Sequence, residues 1–241
     1  ADFIVAEISS FQLDTIDTFR PRISVLLNIT VDHLDRYSSV DAYAASKLRI
    51  FENQQPSDLA VLNGSNPLVR SLTAPLKITK LYYGSLNSGE LGAVNNGTRI
   101  RFRFKESKRR DNKGPLAHLA SCDQRFLNVS DFNPIGRHNL ENAAAAALAA
   151  LAAGASPDTV QEALNRYQGA AHRLEHIDTL HGVDFYNDSK ATNVDAVIRA
   201  VESFSKPLVL IMGGLDKGSN FKALREILPR HVKKLIVMGK A

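Results

Sequence analysis

"RISVLLNITVDHLDRYSSVDAYAASKLRIFENQQPSDLAVLNG", residues 22–64, holds two apolar runs separated by a polar stretch of helical character. The first run, 22–30, is rich in β-branched residues and predicts a strand, and 58–64 predicts another. Between them Ser38 or Ser39 can cap a helix running from about Val40 to Asn53. Strand, helix, strand in that order predicts a parallel sheet, because the crossover helix returns the chain to begin the next strand in the same direction.

Upstream, "FIVAEISS" (3–10) reads as a further buried strand, which would set Glu7 at its carboxyl end. Downstream, the region from Lys77 to Asn128 changes character. "AVNNGTRIRFRF" (93–104) alternates around Asn96-Gly97, a strong hairpin signal, so a small antiparallel subregion is expected on the parallel sheet. An alanine-rich helix follows from about Asn139 to Ala153, ended by Gly154, and Ser156 with Pro157 marks the start of another. Beyond "YQGAAHR" (167–173) the alternation resumes. A hairpin turns at His181-Gly182, a helix runs from about Asn193 to Phe204, "PLVLIMGG" (207–214) reads as a buried strand, a helix covers about Phe221 to Leu228, and "KKLIVMG" (233–239) is a last strand. The expected fold class is α/β, a mostly parallel central domain over 1–169 followed by a truncated Rossmann-like α/β domain over 170–241. Gly169 marks the expected boundary. A buried strand near each chain end would leave the sheet edge uncovered, which suggests a piece of a longer protein.

Hydrophobic residues make up 44% and charged residues 23% of the 241, which suits a buried core rather than disorder. The longest apolar run, 143–155, is mostly alanine and too short to cross a bilayer. With no signal peptide and a lone Cys122, a cytoplasmic protein without a membrane partner is expected. The net charge of +5 permits an anionic partner. The densest basic run, Lys105 to Lys113, mixes in acids and lacks interleaved aromatics, so it reads as a solvated loop and no nucleic-acid partner is expected.

Asp32, His33 and Asp35 follow the carboxyl end of the strand at 22–30, where ligands bind in open α/β sheets. With Glu7 they offer donors suited to magnesium or manganese. Equally, Asp32 or Asp35 can cap the next segment while His33 packs locally, and spacing alone does not decide. Lys47 lies close by on the expected helix, where a pairing with Asp41 or Glu52 would also explain it.

Further blocks add to these: "EISSFQLD" (7–14), "NITVDHLDRY" (28–37), "ASKLRIFEN" (45–53), "GRHNLENAAAAALAA" (136–150), "HRLE" (172–175), "NDSKATN" (187–193) and "GGLDKGSNF" (213–221). In this order the set resembles the Mur ligases, and "SSFQL" with "NDSKATN" resembles the members that add D-glutamate. The resemblance implies ATP-dependent joining of D-glutamate to UDP-N-acetylmuramoyl-L-alanine through an acyl phosphate, by a monomeric enzyme of peptidoglycan synthesis. It implies that Lys47 is carbamylated by carbon dioxide and so becomes an oxygen ligand, and that Glu7 and His33 hold a pair of magnesium ions. Asn139 and Asn142 match a pair at the adenine, with helix capping as the other reading of Asn139. Arg173 and Asp188 match nucleotide contacts, while Lys190, Thr192 and Lys217 match glutamate and phosphate contacts. Lys47, His33 and Lys190 are the implied catalytic groups. Arg173, Lys190 and Lys217 are expected to converge on one crevice; three unrelated surface bases is the plain alternative. The family's glycine-rich phosphate loop, G-x-x-G-K-[ST], occurs nowhere in these residues, so the 241-residue chain by itself is expected to be inactive. A related amide ligase such as a folylpolyglutamate synthase, or a non-catalytic nucleotide-binding module, are the alternatives.

Overall fold

The computed structural model describes residues 3–30, 36–104, 116–132, 134–214 and 221–239. The chain divides into two compact units, one of Ala1–Asn128 and Glu141–Gln161, the other of Val129–Leu140 and Glu162–Ala241.

The first unit begins with a short helix α1 (Ser10–Leu13), then β1 (Ile23–Leu26) and α2 (Val40–Leu48), which tightens into a 3₁₀ turn over Arg49–Phe51. β2 (Leu59–Asn63), α3 (Pro67–Thr73), β3 (Thr79–Tyr83), β4 (Gly92–Asn95), β5 (Arg99–Arg103) and β6 (Phe126–Asn128) follow, with a 3₁₀ segment at Ala117–Cys122. The strands form one six-stranded sheet in the order β1-β2-β3-β4-β5-β6. β1 to β4 are mutually parallel, and β5 and β6 run antiparallel to their neighbours. The antiparallel subregion thus extends the parallel sheet rather than sitting on it.

Local signals explain most boundaries. Ser39 caps α2 by accepting from the Ala42 N–H, and Asn66 does the same for α3 from Val69 ahead of Pro67. Asn96 pins the β4–β5 turn, its side-chain oxygen accepting from the Thr98 and Arg99 amides, while Gly97 takes φ +94°. β2 is buried at every position, as a central parallel strand covered on both faces must be. Leu26, Tyr43, Phe51, Leu62 and Val69 form its core on one side. α4 (Arg137–Ala152) buries Ala144, Ala147, Leu148 and Leu151, a stripe at helical spacing. Ser156 caps α5 (Pro157–Arg166) by accepting from the Thr159 amide. At the sheet's outer edge the Gln161 side chain accepts from Asn128 N at 2.7 Å and donates to Asn128 O at 2.9 Å.

"FIVAEISS" is not a strand. Residues 3–9 run without regular structure, and Ile4 and Val5 are 91% and 98% exposed. β1 is the first strand in the order, so no strand among the described residues pairs along its outer side. An apolar run without a backbone partner cannot be held in a sheet.

In the second unit β7 (Glu175–Leu180) and β8 (Val183–Asn187) make an antiparallel hairpin, with His181 and Gly182 both at positive φ as a two-residue turn requires. α6 (Val194–Glu202) is capped by Asn193. β9 (Leu208–Gly214) pairs in parallel with β10 (Val232–Gly239), and between them a 3₁₀ segment, Phe221–Arg225, precedes a short α7 (Leu228–His231) in place of the single helix expected there. β9 was expected to be buried, yet Val209 and Ile211 are 59% and 62% exposed. Exposure alternates along the strand, so it is one face of this two-stranded sheet that lies open among the described residues.

Candidate functional site

In the first unit the block 7–14 folds as a reciprocal cap. Ser9 Oγ accepts from the Gln12 amide while Gln12 Oε1 accepts from Ser9 N at 2.8 Å, and Leu13 is buried beneath. Glu7 precedes this cap on an exposed segment without regular structure rather than at a strand end. α1 is then fastened to α2. Ser46 donates to the Ser10 carbonyl at 2.9 Å, Tyr37 donates to Asp14 at 2.8 Å, and Arg49 reaches the carbonyls of Asp14 and Ile16. The Ser46 and Tyr37 hydroxyls beside it, helped by the Arg36 and Arg49 charges, hold the Asp14 carboxyl below the usual carboxylate range. Lys47, next to Ser46, is half-buried with its ammonium 5.1 Å from the centre of the Tyr43 ring. Of the partners first considered for it, Glu52 is taken by Arg49 at 2.7 Å.

The carboxyl ends of β1, β2 and β3 meet at one carbonyl. Asn63 at the end of β2 and Tyr83 at the end of β3 both donate to Leu27 O, at 3.0 and 2.8 Å. They fix the path of the chain as it leaves β1 toward Asp32, His33 and Asp35, which themselves lie outside the described residues. Neither Asn63 nor Tyr83 was singled out from the sequence, since the pairing spans 36 and 56 residues. Tyr37 and Arg49, by contrast, stood inside quoted blocks. Among the described residues, no cluster of three metal-ligating side chains occurs.

Asn139 and Asn142, three apart, share one face of α4. The Asn139 side chain donates to Ile135 O at 2.7 Å from within the first turn of α4, which ties down the segment before the helix; it does not accept from a helix N–H as a cap would. Asn142 is exposed.

In the second unit "HRLE" is knitted to "NDSKATN". Leu174 N donates to Asp188 at 3.0 Å, Lys190 N to His172 O at 3.1 Å, and the Asn187 side chain meets His172 Nδ1 at 2.8 Å. Glu175 closes the loop by accepting from His172 N at 2.8 Å. Arg173 is bracketed by two non-glycine residues in the left-handed region, His172 at φ +63° and Leu174 at φ +46°. Such backbone persists only when its surroundings over-determine it. Asp188 is half-buried, and burial raises its carboxyl above the usual range against the pull of the Leu174 amide, His138 and Arg173. Arg173, Lys190 and Thr192 are exposed around it. The structure thus brings the backbones of the Arg173 loop and the Lys190 turn together; Lys217 lies outside the described residues.

Residues 1–150 match the family model of the Mur ligase middle domain, and the chain belongs to the Mur ligase family. Its relatives narrow the membership. Proteins named UDP-N-acetylmuramoylalanine–D-glutamate ligase are 42% identical over 98% of this chain in Koribacter versatilis (strain Ellin345) and 42% identical over 100% of it in Desulfatibacillum aliphaticivorans. One from Pelotomaculum thermopropionicum is 41% identical over 100%. The chain covers 49%, 50% and 50% of these proteins, so it spans about half the length of the curated relatives it matches. Among solved structures, MurF from Acinetobacter baumannii superposes with a TM-score of 0.65 at 18% identity, over 92% of this chain and 47% of that one. MurF from Thermotoga maritima, in complex with ADP, gives 0.60 at 17% identity over 91% and 53%. At such identities these likenesses speak for the fold.

Proposed function

We propose that the protein is part of an ATP-dependent ligase that adds D-glutamate to UDP-N-acetylmuramoyl-L-alanine in cytoplasmic peptidoglycan synthesis, acting as a monomer. The observation that carries this reading is 42% identity along 98% of the chain to a relative of that name. Residues 1–169 serve as the middle, ATP-binding domain and 170–241 as part of the amino-acid-binding domain. The substrate carboxylate attacks the γ-phosphate of ATP and ADP departs; the glutamate amine then attacks the resulting acyl phosphate, losing a proton as phosphate leaves. Such a reaction asks the protein chiefly for positioning and charge neutralisation.

Glu7 presents an exposed carboxylate ahead of the α1 cap, and Lys47 stands on the helix that Ser46 ties to α1. A carboxylate and a lysine carbamate are hard oxygen donors, which fits magnesium; His33 would complete the set. When bound, the metal would neutralise phosphate charge. Asn139 and Asn142 on one face of α4 serve the adenine. Arg173 and Asp188 steady the nucleotide, and Lys190, Thr192 and Lys217 hold the glutamate carboxylates and the phosphate.

In the full-length ligase, Lys190→Ala should lower kcat/KM for D-glutamate by roughly 2–4 kcal/mol in transition-state stabilisation while leaving UDP-sugar binding intact. Turnover with a folate acceptor instead of the UDP-sugar would overturn the reading. Carbon-13 bicarbonate should give a carbamate signal that Lys47→Ala abolishes.

A further inference from the structure

The face of the antiparallel subregion carries a feature the ligase reaction does not use. β5 alternates strictly, with Ile100 and Phe102 fully buried and Arg99, Arg101 and Arg103 on the opposite side. Arg99 and Arg101 are exposed and Arg103 half-buried. Residues two apart on a strand are about 7 Å apart, so the guanidinium groups start from an evenly spaced row. Pairing sets Val94 of β4 and Phe126 of β6 on either side of Arg101, 38% and 47% exposed. The Arg99 guanidinium lies 4.4 Å from the Phe126 ring centre.

Among the described residues none of the three arginines forms an ion pair. Arg103 donates to the Asn87 carbonyl, and Glu90, which accepts from Asn87 N, is held at both oxygens by Arg70. Among the described residues the row is therefore a set of forked donors without carboxylate partners, beside an aromatic ring. Two features choose among polyanions. Guanidinium matches phosphate oxygens in a bidentate fork, and the even spacing suits a chain whose charges recur regularly. Three cations are fewer than the four to eight, roughly, that mark an anionic lipid surface. An exposed ring next to the row is what stacking of bases requires.

We propose that the face formed by β4, β5 and β6 binds a single-stranded nucleic acid, its phosphates along Arg99, Arg101 and Arg103 and a base against Phe126. This revises the expectation drawn from the linear run at Lys105 to Lys113. The aromatic that was missing there is supplied here by the neighbouring strand, through the register Arg101↔Phe126.

Fluorescence anisotropy of the protein with a labelled oligothymidylate tests it. Binding should weaken about fifteenfold between 50 and 200 mM salt, the logarithmic slope near −2 that neutralising three phosphates at about 0.7 each implies. Arg101→Gln should reduce that slope by about 0.7, and Arg99→Gln with Arg101→Gln by about twice as much. Phe126→Leu, which keeps an apolar side chain, should weaken binding at least about fivefold with the slope unchanged. Each variant's circular dichroism should match the parent. No binding at 50 mM salt overturns the proposal. So does binding that the arginine variants leave unchanged, or binding of inorganic polyphosphate equal to that of the oligonucleotide and indifferent to Phe126. Sedimentation with phosphatidylglycerol vesicles, sensitive to Arg101→Gln and without oligonucleotide binding, would overturn it in favour of a membrane surface.

Discussion

β2 and β9 are written in nearly the same residues, "LAVLN" and "LVLIMGG", and both are parallel strands. In β2, Val61 and Leu62 have no exposure; in β9, Val209 and Ile211 are 59% and 62% exposed. The difference lies in what covers their faces. β2 is buried at every position, whereas exposure alternates along β9, so one face of its sheet lies open among the described residues. Burial is therefore a property of what packs on a sheet face, and an apolar run specifies an extended conformation before it specifies an interior.

The largest test of this contrast is a pair of truncations. Leu62→Ala, at a fully buried position of β2, should cost about 2–5 kcal/mol in urea-monitored stability. Ile211→Ala should cost about 0.5 kcal/mol or less, as at an exposed site. A cost at Ile211 close to that at Leu62 would mean that β9 is covered in solution, and the contrast would fail. Next in size, Asp58→Ala should cost about 2–3 kcal/mol by the same measurement. Asp58 is buried at the entrance to β2, where it takes Arg20 at 2.7 and 3.0 Å and accepts from Gln55 N. If the loss is negligible, the start of β2 is held by packing alone.

A smaller effect concerns acid, and its sign differs between the units. In the first unit Asp14, Glu52, Asp58 and Glu90 all sit below the usual carboxylate range. The unfolded chain then binds more protons, so the stability they contribute is present above about pH 4 and is lost as pH falls through their folded values. Asp188 in the second unit is raised, so its contribution runs the other way, and stability declines as pH rises through its folded value. Unfolding followed by tyrosine and amide probes between pH 3 and 6 should show the first unit weakening on acidification, and Asp188→Asn should remove the opposing slope. Parallel acid profiles in that variant and the parent would remove the distinction.

The parts of the fold legible in the sequence were those decided within a few residues. Asn96-Gly97, the serines at 38 and 39 and the pair Ser156-Pro157 each act on their own backbone; the turn and the α5 cap stand where they were read, Ser39 is the serine that caps α2, and Asn193, read only as a helix start, caps α6. "FIVAEISS" failed because its fate depends on a strand beside it. The candidate site divides in the same way. Arg173, Asp188, Lys190 and Thr192 were picked out through short blocks, and the structure adds two hydrogen bonds, Leu174 N to Asp188 and Lys190 N to His172 O, that join the loop of the first to the turn carrying the others. Asn63 and Tyr83 were invisible because nothing in their own neighbourhoods announces a bond to Leu27. His33 and Lys217 stay with the sequence reading alone.

The Gln161 amide at the rim of the six-stranded sheet has a consequence for how copies of the chain meet. In an antiparallel edge strand every second residue aims its N–H and C=O outward, and those of Asn128 would suit the strand of another molecule. The Gln161 amide uses its oxygen as acceptor and one N–H of its NH₂ as donor, the complement that one residue of an incoming strand would bring. By occupying both groups of Asn128, α5 ends the sheet with a side chain where a stranger's backbone could otherwise have continued it.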